Sequence, residues 1–209
     1  MLIVVNNFKK YILMKRIVDL FFSLLALPFI LLITIIVYMF IYFDDKGPLF
    51  YNAQRLGRNG KPFKMFKFRT MIVNAPDIRL SDGSTYNGDD DPRITRVGRF
   101  LRKTSIDEFP QILNVLLGDM SFIGPRPDPV DWFDRYSEKE KIVLSVRPGI
   151  TGYNQAYYRN SADGAMKLKN DVYYAENISF SLDMKIFFKT IKTVLLHENI
   201  NVDQSRLKS

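Results

Sequence analysis

The chain has 209 residues, a formal net charge of +8 and an isoelectric point near 9.5. It contains no cysteine and one histidine, His197. This composition excludes disulfides and cysteine-based zinc sites, and it argues against a Ser/His/Asp triad or a multi-histidine metal site. Acid–base and nucleophilic chemistry therefore falls to carboxylates. A chain this basic attracts anions such as phosphorylated substrates, anionic lipids or nucleic acid.

The N-terminal region combines a basic arm, residues 1–16, with an apolar run that carries no charge from residue 20 to residue 43. The run is long enough to cross a bilayer. However, Pro28 lies inside it, where proline kinks a helix, and basic residues flank both of its ends. The positive-inside rule places both flanks on the cytoplasmic side. The residues themselves leave two alternatives open, a helix that spans the membrane and a re-entrant hairpin with its break at Pro28.

A β-hairpin is predicted by two strand-like segments, 49–54 and 63–70, around the Asn-Gly turn of the sequence RNGK. In the second segment Lys67 and Arg69 alternate with two phenylalanines, so the two cations share one face of the strand. That face is either solvated or forms a cationic rim for a phosphate. The alternation does not distinguish these two interpretations.

Residues 74–92 are rich in Asn, Asp, Gly, Ser and Pro and are predicted to form a loop. The three consecutive aspartates at 89–91 suggest a metal site, but adjacent carboxylates do not converge without a special turn. A solvated acidic loop is therefore the preferred interpretation.

Helical spacing predicts an amphipathic helix over residues 182–197. One face carries Met184, Phe188, Ile191 and Leu195, and another carries Lys185, Lys189 and Lys192. Such a helix packs on a core or lies in a membrane interface, and the three lysines favour the interface.

The densest pattern of charged residues lies at 93–127. Pro110 fits best in the first turn of a helix, where backbone N–H groups lack partners, and this arrangement makes Asp107 the N-cap. A capping box of Ser105 with Glu108 is the competing arrangement. A carboxylate at the positive end of a helix, beside arginines, is expected to have a lowered pKa and can attack phosphorus or hold Mg²⁺. Alternatively, Asp107 is only a cap and Glu108 only a solvated residue.

Several ordered motifs resemble those of the monotopic phosphoglycosyl transferases, the bacterial sugar transferase family that starts glycan assembly on undecaprenyl phosphate. The resemblance covers nearly the whole chain. The motifs are KRIVD at 15–19, GP at 47–48, QRLG at 54–57, FKFRTM at 66–71, DPRITRVG at 91–98, SIDEFPQ at 105–111, GDMSFIGPRP at 118–127 and RPGITG at 147–152. The chain looks like the short form of the family, the catalytic unit alone.

The resemblance implies an Asp-Glu dyad at Asp107 and Glu108. Asp107 would attack the sugar-linked phosphate of a UDP-sugar and release UMP, and the covalent phosphosugar would then pass to undecaprenyl phosphate. Mg²⁺ would bridge the dyad and the diphosphate. Glu108 would help to hold the metal or activate the acceptor. The candidates for binding the substrate phosphates are Arg102, Arg126 and Arg147, followed by Lys67 and Arg69.

The expected architecture is an α+β, helix-rich membrane-associated domain with a small β-hairpin, and the resemblance implies that its membrane element is re-entrant. The expected organisation is a basic arm (1–16), a re-entrant helix-break-helix (17–43), a catalytic domain on the cytoplasmic face of the inner membrane (44–198) and a polar tail (199–209). Leu27 replaces the serine that many relatives carry before the proline, and Ser23 is the candidate to compensate. Anionic lipids are expected partners and nucleic acid is not. A homo-oligomer, the transferred sugar and the glycan, such as O-antigen, capsule or exopolysaccharide, stay open.

Overall fold

The computed structural model describes residues 2–79, 86, 88, 91–158 and 162–195, with backbone alone at 2–9 and at 194 and 195. The predicted class, helix-rich α+β with small sheets, is confirmed. The predicted tail and His197 lie outside the described residues. In chain order the elements are α1 (Leu2–Asp45), β1 (Ala53–Leu56), β2 (Pro62–Met65), α2 (Arg96–Thr104), α3 (Gln111–Leu117), β3 (Ser121–Ile123), β4 (Gly149–Thr151), α4 (Tyr153–Tyr157), α5 (Gly164–Asn177) and α6 (Phe180–Leu195).

Helix α1 is the one helix in the described part of the chain that is long and apolar enough to cross a membrane. It continues through Pro28, so the helical assignment shows no interruption where the sequence predicts a break. The hydroxyl of Ser23 is buried and has no hydrogen-bond partner among the described residues. Ser23 therefore does not compensate for the backbone bond that Pro28 removes. The re-entrant course of α1 stays a prediction.

One face of α1 is buried against the rest of the protein along most of its length. Its buried residues are Asp19, Ser23, Ile30, Val37 and Ile41, and their spacing of four or seven positions keeps them on one side of the helix. The opposite side exposes large apolar side chains, among them Phe21, Leu25, Phe29, Leu32, Ile36 and Phe40. In water an apolar face of this size would be strongly unfavourable, which indicates that lipid covers it.

Helix α1 is attached to the folded domain at two widely separated points. In its first half, Asp19 accepts hydrogen bonds from Ser121 Oγ at 3.1 Å and Phe122 N at 3.2 Å. At its end, both carboxylate oxygens of Asp45 contact the guanidinium of Arg69 at 2.5 Å. Arg69 is thus buried and engaged with α1 rather than solvated.

The predicted hairpin is present, with shorter strands than the sequence indicates. β1 and β2 pair antiparallel, with Ala53 opposite Met65, and the turn contains Asn59 and Gly60 with φ of 59° and 72°. The ladder ends at Met65 because the next backbone groups bond elsewhere. Phe66 N donates to the side-chain oxygen of Asn114 at 2.8 Å. Beyond the strands, Phe50 and Phe68 form only an isolated bridge.

Three apolar clusters form the core. The first joins β3, α4, α5 and α6, the second joins α1, α2 and Phe68, and the third joins β2 to α3. β3 and β4 pair in parallel, with Ser121 opposite Gly149. Gly118 ends α3 with φ of 98°, as the sequence predicts for a glycine stop.

The segment predicted as a solvated acidic loop is not solvated at Asp91. This residue is fully buried and binds the guanidinium of Arg93, with Nη2 at 2.6 Å and Nε at 2.9 Å. The prediction is wrong at Asp91 because its partner Arg93 lies only two residues further along the chain. The two side chains are buried together, so neither charge is left unpaired. Asp89 and Asp90 lie outside the described residues.

The predicted amphipathic helix is observed as α6, but it is rotated relative to a simple apolar-inward arrangement. Asp183 and Ile186 are buried, whereas Phe188 is 65% exposed and Ile191 is also exposed. The rotation follows from Asp183, whose carboxylate accepts hydrogen bonds from Tyr174 at 2.8 Å and from two side chains of α1. The exposed apolar face and the lysines of α6 agree with an interfacial helix.

Gly98 allows α2 to pack directly on the backbone of residue 70, because a Cβ at this position would collide with the carbonyl oxygen of Thr70. We expect Gly98→Ala to lower the free energy of unfolding by about 2–3 kcal/mol. Thermal unfolding of the detergent-solubilised protein measures the effect. Gly164→Ala, at the first position of α5, is the control and should be neutral or slightly stabilising. Equal melting temperatures for the two variants would contradict the packing argument.

Candidate active site

The Asp-Glu pair lies in a single 3-10 turn, Ile106–Glu108, between α2 and α3. Ser105 ends α2 in the left-handed conformation, with φ of 58°, and reverses the chain direction. Asp107 is therefore not the N-cap of a helix, because α3 begins at Gln111 after Pro110. The competing capping box is also absent, since the side chain of Ser105 makes no capping bond. The tight turn, rather than a helix end, holds the pair.

Asp107 is almost fully enclosed, with 2% of its surface exposed. Its carboxylate Oδ2 lies 2.7 Å from Nζ of Lys67. Its carbonyl oxygen accepts a hydrogen bond from Phe68 N at 2.9 Å. The segment that follows β2 is thus fastened to the turn by its backbone, and this attachment carries Lys67 to the buried carboxylate.

Glu108 is held by two cations. Arg126 Nη2 lies 2.7 Å from Oε1 and Nη1 lies 3.4 Å from Oε2, a forked arrangement. Lys67 Nζ lies 3.6 Å from Oε1 and so bridges the two carboxylates. Arg126 comes from the GPRP segment after β3, whose prolines restrict the backbone on both sides of the arginine.

The electrostatics of the pair differ from the sequence prediction. Burial raises the pKa of Asp107 above its usual range, against the opposing effect of Lys67. The lowered pKa predicted for Asp107 is therefore wrong, because a helix end does not face it and desolvation does. For Glu108, burial alone would raise the pKa, but Arg126 and Lys67 outweigh it and lower the pKa to about 2. The turn places a basic carboxylate beside a firmly ionised one.

The structure brings together only some of the predicted phosphate-binding cations. Lys67 and Arg126 contact the dyad. Arg102 donates from Nε to Thr70 Oγ1 at 2.9 Å and lies close enough to lower the pKa of Asp107. Arg69 binds the end of α1, and Arg147 donates to Gly118 O at 2.8 Å. Neither of the last two contacts the dyad.

A polar network beside Arg126 is not predicted by the sequence. Asp128 accepts from Tyr136 at 2.6 Å and from Lys167 at 2.6 Å, and Lys167 also lies 3.4 Å from Asp171. Burial is the main cause that raises the pKa of Asp171 to about 7. Asp128 directly follows the GPRP motif, which is a usable signal. The other partners come from distant segments that spacing does not connect.

Metal binding at this site would rest on the two dyad carboxylates. Among the residues that the structure describes, no group of three or more acidic or histidine side chains is arranged to hold a metal ion. Mg²⁺ is commonly bound through one or two carboxylates, with water and substrate phosphates completing the shell. The donor chemistry of Asp107 and Glu108 fits such a site.

Comparison with known proteins gives relatives along most of the chain. The uncharacterized sugar transferase EpsL of Bacillus subtilis is 42% identical over 86% of this chain and 88% of its own length. The undecaprenyl-phosphate galactose phosphotransferase of Salmonella typhimurium is 42% identical over 72% of this chain and 34% of its own. An Aeromonas hydrophila protein named UDP-N-acetylgalactosamine-undecaprenyl-phosphate N-acetylgalactosaminephosphotransferase is 38% identical over 88% and 44%. The chain thus spans less than half the length of the last two.

The family comparison agrees with these relatives. Residues 10–197 match the family described as bacterial sugar transferase. The matched range contains α1 from residue 10 onward, the hairpin, the dyad turn and both arginine-bearing motifs that follow it. The chain belongs to the bacterial sugar transferase family.

Proposed function

We propose that this enzyme transfers a sugar 1-phosphate from a UDP-sugar to undecaprenyl phosphate and releases UMP. The observation that carries the proposal is the buried Asp107, held by Lys67 beside a Glu108 that Arg126 keeps ionised. The two phosphotransferases from Salmonella typhimurium and Aeromonas hydrophila, which are named for undecaprenyl phosphate, support the acceptor, and the name of the second supports a UDP-sugar donor. The reaction would be the first membrane step of polysaccharide assembly.

The proposed reaction has two displacements at one phosphorus atom. An oxygen of Asp107 attacks the sugar-linked phosphorus, the bond from phosphorus to the UMP oxygen breaks, and UMP leaves with the electron pair. An oxygen of undecaprenyl phosphate then attacks the same phosphorus. The bond from phosphorus to the Asp107 oxygen breaks, which restores the carboxylate and gives the polyprenyl diphosphate sugar.

The environment of Asp107 suits a nucleophile. A carboxylate of raised pKa is more basic than a solvated one and is therefore a stronger nucleophile. Burial also removes the water that would otherwise solvate the attacking oxygen. Lys67 fixes the position of one carboxylate oxygen at 2.7 Å. The remaining oxygen of Asp107 is the candidate attacking atom.

In the proposed reaction the cations around the dyad bind the diphosphate of the UDP-sugar and neutralise its charge. Lys67 and Arg126 balance the negative charge of the dyad and can shift toward an arriving diphosphate, and Arg102 adds a third positive charge nearby. Mg²⁺ held by Asp107 and Glu108 would supply further neutralisation of the diphosphate charge. Glu108 remains ionised at neutral pH because its pKa is about 2.

The membrane arrangement that best fits the contacts is re-entrant. The buried face of α1 runs from Asp19 to Ile41, a path of about 33 Å along a helix, which matches the thickness of a membrane core. If α1 crossed the bilayer straight, the polar domain packed along this face would have to enter the hydrocarbon. A helix that enters and leaves by the cytoplasmic side, where nucleotide sugars are made, avoids that cost.

The reaction is tested by UMP release from detergent-solubilised protein with undecaprenyl phosphate, Mg²⁺ and a panel of UDP-sugars. We expect release with one donor, and a loss of about a thousandfold or more in Asp107→Asn. Asp134→Asn, an exposed aspartate outside the site, is the matched control and should retain activity. No release with any donor would instead favour a lipid-binding module. Unchanged release in Asp107→Asn would exclude this nucleophile.

The pH dependence tests the role of Lys67. The folded-state pKa of Asp107 is raised by burial, and Lys67 opposes that rise. Removing the cation in Lys67→Gln should raise the pKa further, so the acidic limb of UMP release against pH should move to higher pH. Lys64→Gln, an exposed lysine of β2, should leave the limb in place. A limb that does not move, or moves to lower pH, would rule out electrostatic control of Asp107 by Lys67.

The course of α1 can be tested with single cysteines, because the chain has none of its own. Lys10→Cys and Lys46→Cys place exposed thiols on either side of the apolar run. In intact spheroplasts a membrane-impermeant maleimide should label neither thiol, and after lysis it should label both. Labelling of one thiol before lysis would show a spanning helix.

A further inference from the structure

A second concentration of positive charge lies away from the dyad. We call it the basic pocket, and it contains Arg16 of α1, Arg58 of the hairpin turn and Arg147 ahead of β4. Three distant parts of the sequence thus contribute one guanidinium each to the same concave surface. Ile12 and Ile178 form apolar parts of its wall.

The basic pocket and the dyad lie at opposite ends of α3. Arg16 donates to the carbonyl oxygens of Val115 and Leu116, and Arg147 donates to that of Gly118. These carbonyls belong to the C-terminal end of α3, whereas the dyad directly precedes its N-terminal end. α3 has seven residues, so about 10 Å of helix separates the two regions. The basic pocket is therefore not part of the phosphoryl-transfer site.

Two guanidiniums of the basic pocket, those of Arg58 and Arg147, use only one of their nitrogen donors within the described residues. Arg58 uses Nε on Ser145 O at 3.1 Å, and Arg147 uses Nε on Gly118 O. In the described part of the chain, the terminal nitrogens of these two side chains make no hydrogen bond or ion pair. Both terminal nitrogens of Arg16 donate to carbonyl groups at the end of α3. The terminal nitrogens of Arg58 and Arg147 are available to bind an anion.

The positive charge of the pocket is only partly balanced by its own carboxylate. Asp19 is one carboxylate against three arginines, and it is buried and also accepts hydrogen bonds from Ser121 and Phe122. Burial lowers the pKa of Arg147, and the neighbouring Arg16 and Arg58 lower it further against the opposing effect of Asp19, as expected for repulsion of Arg147 by the other two cations. A bound anion would relieve that repulsion.

The position of the pocket identifies the class of anion. On both sides of Asp19, α1 exposes large apolar side chains, among them Ile17 and Phe21. Phe180, at the start of α6, is exposed close in sequence to Ile178 of the pocket wall. A cationic site that adjoins a lipid-facing helix lies at the depth of phospholipid headgroups.

We infer that the basic pocket binds the headgroup phosphate of an anionic phospholipid, with Ile12 and Ile178 against its glycerol and first acyl carbons. Arg58 and Arg147 would grip the phosphate oxygens through their terminal nitrogens. The bound lipid would fix the start of α1 against the domain at the membrane surface. This inference rests on the membrane placement proposed above and not on the donor, the nucleophile or the metal.

The test measures lipid binding to the full chain in a neutral detergent by native mass spectrometry. Phosphatidylglycerol and phosphatidylcholine of equal chain length are titrated against wild type, Arg58→Gln and Arg96→Gln. Arg58→Gln should weaken phosphatidylglycerol binding about fivefold, as expected for one arginine beside a lipid phosphate. Arg96→Gln removes the same charge from an exposed position on α2 and should change binding little. Arg58→Lys should recover part of the loss.

Competitors separate the sources of phosphate. Inorganic phosphate and farnesyl phosphate should displace phosphatidylglycerol only weakly. Equal binding by all variants, or equal loss in Arg58→Gln and Arg96→Gln, would overturn the inference. Displacement by inorganic phosphate at the concentration of the lipid would make this a free-phosphate site, and stronger displacement by farnesyl phosphate would assign the pocket to the acceptor. UMP release by Arg58→Gln in detergent should equal that of wild type, so failure of this inference is distinguishable from failure of the proposed reaction.

Discussion

The burial of Asp107 is the constraint on which the arrangement of the site depends. A carboxylate with 2% exposure is costly to ionise, and the protein offsets that cost with Lys67 at 2.7 Å. Lys67 reaches the carboxylate because the neighbouring Phe68 donates its backbone N–H to the carbonyl of Asp107. The same lysine also faces Glu108, which Arg126 holds from the other side. Positive and negative side chains therefore alternate around the dyad. This arrangement depends on the short hairpin, on the chain reversal at Ser105 and on the proline-flanked Arg126.

The membrane helix is built into the same framework. Phe68, next to Lys67, is fully buried in the cluster that contains Val37 and Ile41 of α1. Arg69, one residue further, binds the end of α1. A single stretch of three residues therefore contacts Asp107, the core face of α1 and the end of α1 in turn. Packed side chains and ion pairs thus connect α1 to the turn that holds the dyad.

Whether a feature could be predicted from the sequence depends on how far apart in the chain the interacting residues lie. Features set by neighbours in the chain were predicted correctly, such as the apolar run, the Asn-Gly turn and the stop at Gly118. The pKa of Asp107 was not, because burial depends on segments that are far apart in sequence. Strand alternation grouped Lys67 with Arg69, yet the ladder ends at Met65 and the two cations have different partners. The network of Asp128 and Lys167 joins residues 39 positions apart and left no local pattern.

Arginine serves two kinds of binding in this fold, and its neighbours decide which. Arg126 is bound by Glu108 and lies in the field of Asp107 and Asp128, so its charge is held within the carboxylate network of the dyad. Arg147 lies among other cations, and its main-chain bond to Gly118 orients it without neutralising it. A phosphate that approached the dyad would compete for Lys67 and Arg126 with carboxylates already in place. A phosphate in the basic pocket would meet only Asp19, which already accepts hydrogen bonds from Ser121 and Phe122, and that difference suits a resident lipid rather than a substrate that must leave.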